Sequence, residues 1–219
     1  MRRRLHRGFV AVLGGVLALP SCGQLRAQEV LDRIVARVEN DVILLSELQT
    51  LSRYQKFVDG KSESDDQILG RLIDQWIVRS EANTAHFPQP SEEEIDLSLE
   101  RLKRALGSPA EYQARKKESG LSDADIRATI ASQLFLSGYL DSRFRPVVQI
   151  DPQEIEKVYQ DSVVPRAKER GQEPPSLDAA REAIQELLVQ KGISAQAEQW
   201  IKESRDRLHV DKLLAEDAK

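Results

Sequence analysis

The sequence predicts a mainly helical protein in which a small β-sheet joins the two ends of the chain. Two observations favour helices. Serines stand three residues before glutamate or glutamine at several points, and apolar residues recur at steps of three and four between these points. A third observation favours the sheet, because short segments near the ends lack this helical spacing. We expect about seven helices, a helix content above the average for globular proteins.

The first 28 residues differ in character from the rest of the chain. Four arginines within the first seven residues precede an apolar run, residues 9–19, which is too short to span a bilayer. This pattern is typical of a secretory signal peptide, which we assign to residues 1–27. Two processing sites stay open: cleavage after Ala27, or lipidation of Cys22, which ends the lipobox-like tetrapeptide LPSC.

The strands are predicted near the chain ends. Residues 32–38 and 42–45 form a hairpin around the polar turn Glu39-Asn40-Asp41, and residues 146–150 and 208–214 each add a short extended piece. Exposed strand edges in a mostly helical protein invite unwanted pairing. We therefore expect the C-terminal strand to close on the N-terminal hairpin.

Capping signals predict where the helices begin. Ser46, Ser64 and Ser91 each have Gln or Glu three residues later, which is the spacing of a capping box. Proline follows Ser108 and Asp151, where it suits the first position of a helix.

Apolar spacing predicts the helix bodies that follow these starts. The stripes run over residues 68–77, 95–106, 126–140, 177–188 and 200–208. Gly192 is predicted to end the helix that begins at Leu177, so that Trp200 belongs to a separate last helix. Residues 161–175 carry three prolines and a glycine and are predicted to form a loop.

Charge and cysteine content exclude several classes of protein. The net charge is −4, and removal of the five arginines of the predicted signal peptide leaves about −9. This acidity argues against binding to nucleic acid or to anionic membrane surfaces. Cys22 is the only cysteine, so no intramolecular disulfide forms and packing alone holds the fold.

The residues offer no recognisable site for chemistry. Beyond the signal peptide only His86 and His209 remain as histidines, and without cysteine a zinc site lacks ligands. Residues 92–94 are three glutamates, which suit the dipole of a helix start. Neither a glycine-rich phosphate loop nor a nucleophile elbow is present. We therefore predict no catalytic residue, no metal site and no cofactor.

A binding role is the remaining prediction, and it points to the helix after the hairpin. This helix has more apolar residues than a single buried stripe needs: Leu48, Leu51, Tyr54, Phe57 and Val58. We predict that some of them contact a peptide client. The alternative that all five lie in the core stays open.

The run DRIVARVENDVILLSELQ resembles the opening of the SurA-type periplasmic chaperones. The resemblance continues in order through ILGRLIDQWIVRSEA, PSEEEIDLSLERLKRAL, LSDADIRATIASQLFLSGYL and VQIDPQEIEKVYQD. The segment that begins PPSLDAAREAIQELL resembles the C-terminal helix and strand of that family. The resemblance implies an N-terminal helical module over 29–160, a loop over 161–175 in place of the parvulin domain, and C-terminal helices and a strand over 176–214.

The function that this resemblance implies is that of an ATP-independent periplasmic holdase for unfolded, outer-membrane polypeptides. Isomerase activity is not carried over, because the parvulin histidines and glycine-rich segment have no counterpart. Two alternatives stay open: a foldase related to the prolyl isomerases, and a structural subunit that is lipid-tethered through Cys22 and binds one dedicated partner.

Overall fold

A computed structural model of the protein describes residues 32–214; the predicted signal peptide and Cys22 lie outside the described residues. Within them the architecture is mainly helical with one small antiparallel sheet, which confirms the predicted fold class. The elements are β1 (Ile34–Val38), β2 (Asp41–Leu44), α1 (Leu45–Asp59), α2 (Asp65–Thr84), α3 (Glu92–Ala105), α4 (Pro109–Ser119), α5 (Asp123–Phe144), a 3-10 turn (Arg145–Val147), α6 (Pro152–Val158), a π-helical turn (Tyr159–Val163), α7 (Val164–Glu169), α8 (Leu177–Arg205) and β3 (Val210–Lys212).

The sheet confirms that the C-terminal strand closes on the hairpin. Its strand order is β2-β1-β3, and both neighbours run antiparallel to β1. Val38 lies opposite Val210 in the register of β1 and β3. Just beyond this pair, the amide of Glu39 donates to the carbonyl of His209 at 3.0 Å. The two ends of the described chain therefore belong to one structural unit.

The helix starts predicted at Ser64, Ser91 and Ser108 are confirmed. Each serine is the N-cap: its hydroxyl accepts a hydrogen bond from the amide three residues later, and the Gln or Glu side chain there accepts one from the amide of the serine. These reciprocal bonds satisfy amides that the first turn leaves without partners.

The prediction that Ser46 is an N-cap is wrong. The cap of α1 is Leu44, whose amide donates to the carboxylate of Glu47 at 2.8 Å. Leu44 has no side-chain oxygen, so only this half of a capping box forms. Ser46 lies in the first turn, and both its amide and its hydroxyl donate to the carboxylate of Asp32. A partner distant along the chain has therefore replaced the local cap.

The prediction that Gly192 ends a helix is also wrong. Helix α8 continues through this position as one element of 29 residues. A Cβ atom on Gly192 would lie 2.6 Å from Cγ1 of Val148. The glycine therefore permits the segment before α6 to approach α8 closely, and Trp200 lies on the same helix as Leu177.

Two predicted irregular segments are more helical than expected. The loop predicted over 161–175 is mostly occupied by the π-helical turn and α7, and non-helical backbone is confined to residues 170–176. Pro165 fits the first turn of α7, where no intrahelical amide bond is needed. The extended piece predicted over 146–150 is also wrong, because it begins within the 3-10 turn and contains no strand.

Helix α2 is central to the described structure. It contacts β1, α1, α5 and α8. Its stripe of Ile68, Leu69, Ile73 and Ile77 is buried against the sheet, as the apolar spacing predicts. At the end of α8, the guanidinium of Arg205 donates to the carbonyl of Gly70 and to the carboxylate of Asp74.

Candidate functional site

The five apolar residues predicted to contact a peptide do not share one surface. Leu48, Tyr54 and Phe57 are at most 6% exposed and belong to the core. Leu51 and Val58 are half-buried and pack against two different core clusters. In this conformation only these two side chains of the set are partly presented to solvent. Peptide contact by α1 stays a prediction.

An open groove of about 490 Å³ lies between strand β2 and helix α2, next to the start of α1. Val42, Ile43, Leu72 and Trp76 supply its apolar lining. Val42 is 44% exposed although it is a large apolar residue. The volume is within the range of sites that hold small ligands or several side chains of a peptide.

A smaller groove of about 250 Å³ continues the first one along α1 and α5. Glu47, Leu72, Gln75 and Arg79 line both grooves. We call the combined surface the furrow; it is bounded by β2, the first two turns of α1, residues 72–84 of α2 and residues 125–132 of α5. Of the five residues predicted from the sequence, Leu51 lines the furrow.

Polar groups are arranged around the apolar floor of the furrow. The indole Nε1 of Trp76 donates to Oδ2 of Asp41 at 2.8 Å. The guanidinium of Arg79 donates to the hydroxyl of Ser132 at 3.2 Å, and it forms no ion pair with a carboxylate of the described chain. The carboxylate of Glu47 completes the rim through its bond to the start of α1. The furrow thus combines apolar contact area with both signs of charge.

Two lowered pKa values, those of Asp125 and Glu63, indicate stabilising roles for these carboxylates. In the furrow, the hydroxyl and the amide of Ser122 donate to Asp125 and lower the pKa of its carboxyl, as in a helix cap. Outside the furrow, hydrogen bonds from Arg71 and Gln55 lower the pKa of Glu63 to about 2. Neither shift brings the pKa of a carboxyl group closer to neutral pH. General acid–base catalysis favours a group whose pKa lies near the working pH.

The histidines do not form part of a metal cluster in the described chain. Within residues 32–214 no three His, Cys, Asp or Glu side chains are grouped so as to hold a metal ion. His86 follows the end of α2 with a φ of 53°, and Nε2 of His209 lies 3.4 Å from Oδ1 of Asp211. No helix in the same residues is long and apolar enough to cross a bilayer.

The furrow residues that sequence reasoning missed include three with apolar side chains that are not fully buried, Val42, Leu72 and Trp76. Leu72 and Trp76 were predicted as part of the buried stripe of α2, and they are in fact half-buried at its margin. The available signal was the pair Val42-Ile43. Successive side chains of a strand face opposite sides, so one of two adjacent apolar residues must face away from the core.

A third groove, of about 480 Å³, lies between α7 and α8. Leu187, which is 60% exposed, contributes apolar surface, and Arg166 and Arg170 lie at its border. This groove shares no lining residue with the furrow.

Two curated proteins are similar to this chain over part of its length. The chain is 28% identical to the Chaperone SurA of Pseudomonas aeruginosa over 134 residues, which are 57% of this chain and 32% of that protein. It is also 28% identical to the Chaperone SurA of Alkalilimnicola ehrlichii over 158 residues, which are 68% of this chain and 36% of that protein. The matched part is thus about a third of the length of these relatives. No family model matches the chain. These similarities support a distant, SurA-like relationship.

Proposed function

We propose that this protein is an ATP-independent periplasmic chaperone that holds unfolded polypeptides, with outer-membrane proteins as its main clients. The furrow is the observation that carries the proposal. An open surface with an apolar floor and a polar rim suits weak contacts with an extended chain. The distant similarity to proteins named as SurA chaperones supports the same role.

The mechanism depends on many weak contacts along one long client. Covering about 100 Å² of apolar furrow surface contributes roughly 2.5 kcal/mol at 25 cal/mol/Å². Ordering the client segment offsets much of that gain. A single occupied furrow therefore binds weakly. A client is held because, when one of its segments leaves the furrow, another segment of the same client takes its place. Release then needs no ATP.

The proposed organisation has a helical module over 29–160 and C-terminal helices and a strand over 176–214. Between them, residues 161–175 are far fewer than the roughly 100 residues of a typical domain. The proposal therefore includes no isomerase activity. Export is part of the same proposal, with the mature chain beginning either after Ala27 or at a lipidated Cys22.

A light-scattering assay tests the proposal. A urea-denatured outer-membrane barrel protein is diluted into buffer that contains a stoichiometric amount of the wild-type protein or of a variant. We expect the wild type to suppress aggregation. We expect Leu51→Gln to suppress it less, because the substitution removes apolar contact from the half-buried floor of the furrow.

Leu97→Gln is the matched control. Leu97 lies on α3, is 49% exposed and is not part of the furrow. We expect this variant to act like the wild type. Unchanged aggregation with a large excess of the wild-type protein would refute the proposed function. Equal activity of the wild type and both variants would refute the assignment of the furrow.

A further inference from the structure

We infer that the furrow receives a client by strand addition: an extended client segment pairs with the main chain of β2 at Val42 and lays alternate side chains over Leu72 and Trp76. The inference rests on the proposed chaperone function. It identifies the client backbone, in addition to its side chains, as what the furrow recognises.

The hydrogen bonds between β1 and β3 show which backbone groups of β2 form no hydrogen bond to β1. The carbonyl of Val35 accepts from the amide of Leu213 at 2.8 Å, and the amide of Glu39 donates toward β3. Backbone groups alternate along a strand, so Arg37, between these two residues, also faces β3. Val42 lies opposite Arg37 and therefore occupies a position without ladder bonds to β1. Its N–H and C=O point away from β1, toward the open edge of β2.

Neither of these two groups has a partner among residues 32–214. The amides of Leu44 and Leu45 both have partners. That of Leu44 donates to Glu47, and that of Leu45 donates to the carbonyl of Arg33 at 2.7 Å. Val42 thus presents one free donor and one free acceptor in the geometry of a strand. An extended backbone supplies the complementary pair of groups.

The opposite edge of the sheet is built differently. On β3, Asp211 and Lys212 are exposed, and the ammonium of Lys212 lies 2.7 Å from the carboxylate of Asp66. Charged side chains, lysine in particular, are a common protection of edge strands against pairing with other chains. The β2 edge instead has the exposed Val42 and adjoins a groove to which Leu72 and Trp76 contribute apolar surface. Strand addition is therefore favoured at β2.

Charge complementarity narrows the occupant to one class of segment. Asp41 and Glu47 place two carboxylates on the rim beside β2, and among residues 32–214 Arg79 is the one cation that lines the groove there. A segment of alternating apolar residues with a flanking Lys or Arg fits this arrangement. Strands of membrane barrels have such alternation, so the occupant is a strand segment of an unfolded barrel protein.

Val42→Pro tests the pairing on the protein side. Proline removes the outward N–H of residue 42 without removing a ladder bond to β1, and proline is tolerated on edge strands. Val42→Ala is the matched variant, since it shortens the side chain and keeps the N–H. Fluorescence anisotropy measures binding of a labelled peptide of alternating Val and Thr flanked by Lys. We expect Val42→Pro to bind about three- to tenfold more weakly than Val42→Ala, the effect of one hydrogen bond.

A scan of N-methylated peptides tests the pairing on the client side. Each peptide has one methylated amide, and we expect binding to the wild-type protein to weaken at every second position only. If circular dichroism shows that Val42→Pro is unfolded, this scan alone tests strand addition. Equal binding by the folded Pro and Ala variants, or a scan without alternation, would overturn strand addition while leaving the proposed function intact. Absence of both peptide binding and aggregation suppression by the wild type would overturn the function itself.

Discussion

The hydroxyl of Tyr54 lies in the core with one long hydrogen-bond partner, the side-chain oxygen of Gln133 at 3.4 Å. Burial is the main cause that raises the pKa of Tyr54 to about 12, and Tyr112 and Asp59 add to the shift. The raised pKa means that the folded state favours the protonated phenol. The stabilising contribution is complete below the pKa of about 10 of an unfolded tyrosine. It is lost as the pH rises through about 12.

We therefore expect the free energy of unfolding to fall between pH 10 and pH 12, and we expect Tyr54→Phe to reduce this fall. The residual decrease comes partly from Tyr112, whose pKa is also raised by burial. Urea unfolding at several pH values, followed by circular dichroism, measures the effect. Parallel stability curves for the wild type and Tyr54→Phe above pH 10 would contradict it.

Residue identity also explains where local prediction succeeds and where it does not. Ser64 and Ser91 accept hydrogen bonds from amides three residues away, so their capping role is predictable from the neighbouring sequence. Ser46 has the same spacing to Gln49, but its hydroxyl donates to the carboxylate of Asp32, which precedes β1. The competing partner becomes available only because the hairpin returns the chain to this point.

At the scale of the elements, two of the glycines inside long helices, Gly192 and Gly70, lie in different surroundings. Gly192 on α8 faces the side chain of Val148, and a Cβ atom there would clash at 2.6 Å. Apart from its chain neighbours and the backbone of its own helix, Gly70 on α2 has no atom within 4 Å of the position that a Cβ would take. Both substitutions to alanine improve intrinsic helix propensity by about 1 kcal/mol. Only the one at Gly192 also introduces a steric conflict.

We expect Gly192→Ala to lower the free energy of unfolding by about 1 kcal/mol, since overpacking of 1–3 kcal/mol exceeds the gain in propensity. We expect Gly70→Ala to raise it by roughly 0.5–1 kcal/mol. Urea denaturation of both variants measures whether each substitution raises or lowers the free energy of unfolding. In a double-mutant cycle, Val148→Ala is expected to relieve the cost at Gly192. A Gly192→Ala protein more stable than the wild type would show that the close approach to Val148 is not required.

At the scale of the whole molecule, the sheet connects the beginning and the end of the described chain. Strand β3 adds its pairing with β1 and the ion pair of Lys212 with Asp66, and Val210 and the following Leu214 pack on the main core cluster. Without β3 the strand β1 would become a second open edge. The C-terminal segment therefore stabilises the fold and also limits unwanted strand pairing.

Truncation after Leu208 tests this role. We expect the loss of β3 to lower the free energy of unfolding by at least about 2 kcal/mol, from lost apolar burial alone. Truncation after Leu214 is the control and is expected to leave the stability of residues 32–214 unchanged. Thermal unfolding of both truncated proteins measures the difference. Identical unfolding temperatures would contradict a structural role for β3.

The sequence by itself determined the helix starts at Ser64, Ser91 and Ser108, the buried stripe of α2 and the mainly helical class, because capping and periodicity act over three or four residues. The candidate site was predicted less well. The sequence pointed to α1, and of its five apolar residues Leu51 is the one that lines the furrow.

Only the tertiary structure decided that Leu48 and Phe57 are buried, that Gly192 lies inside a helix, and that Val42 and Trp76 border one surface. In each case the deciding neighbour is far away along the chain: Trp76 bonds to Asp41, and Gly192 contacts Val148. The hydrophobicity of an apolar residue, which is all that the sequence gives, is the same whether the fold buries or exposes that residue. Which of them remains in contact with water depends on how distant elements pack against one another.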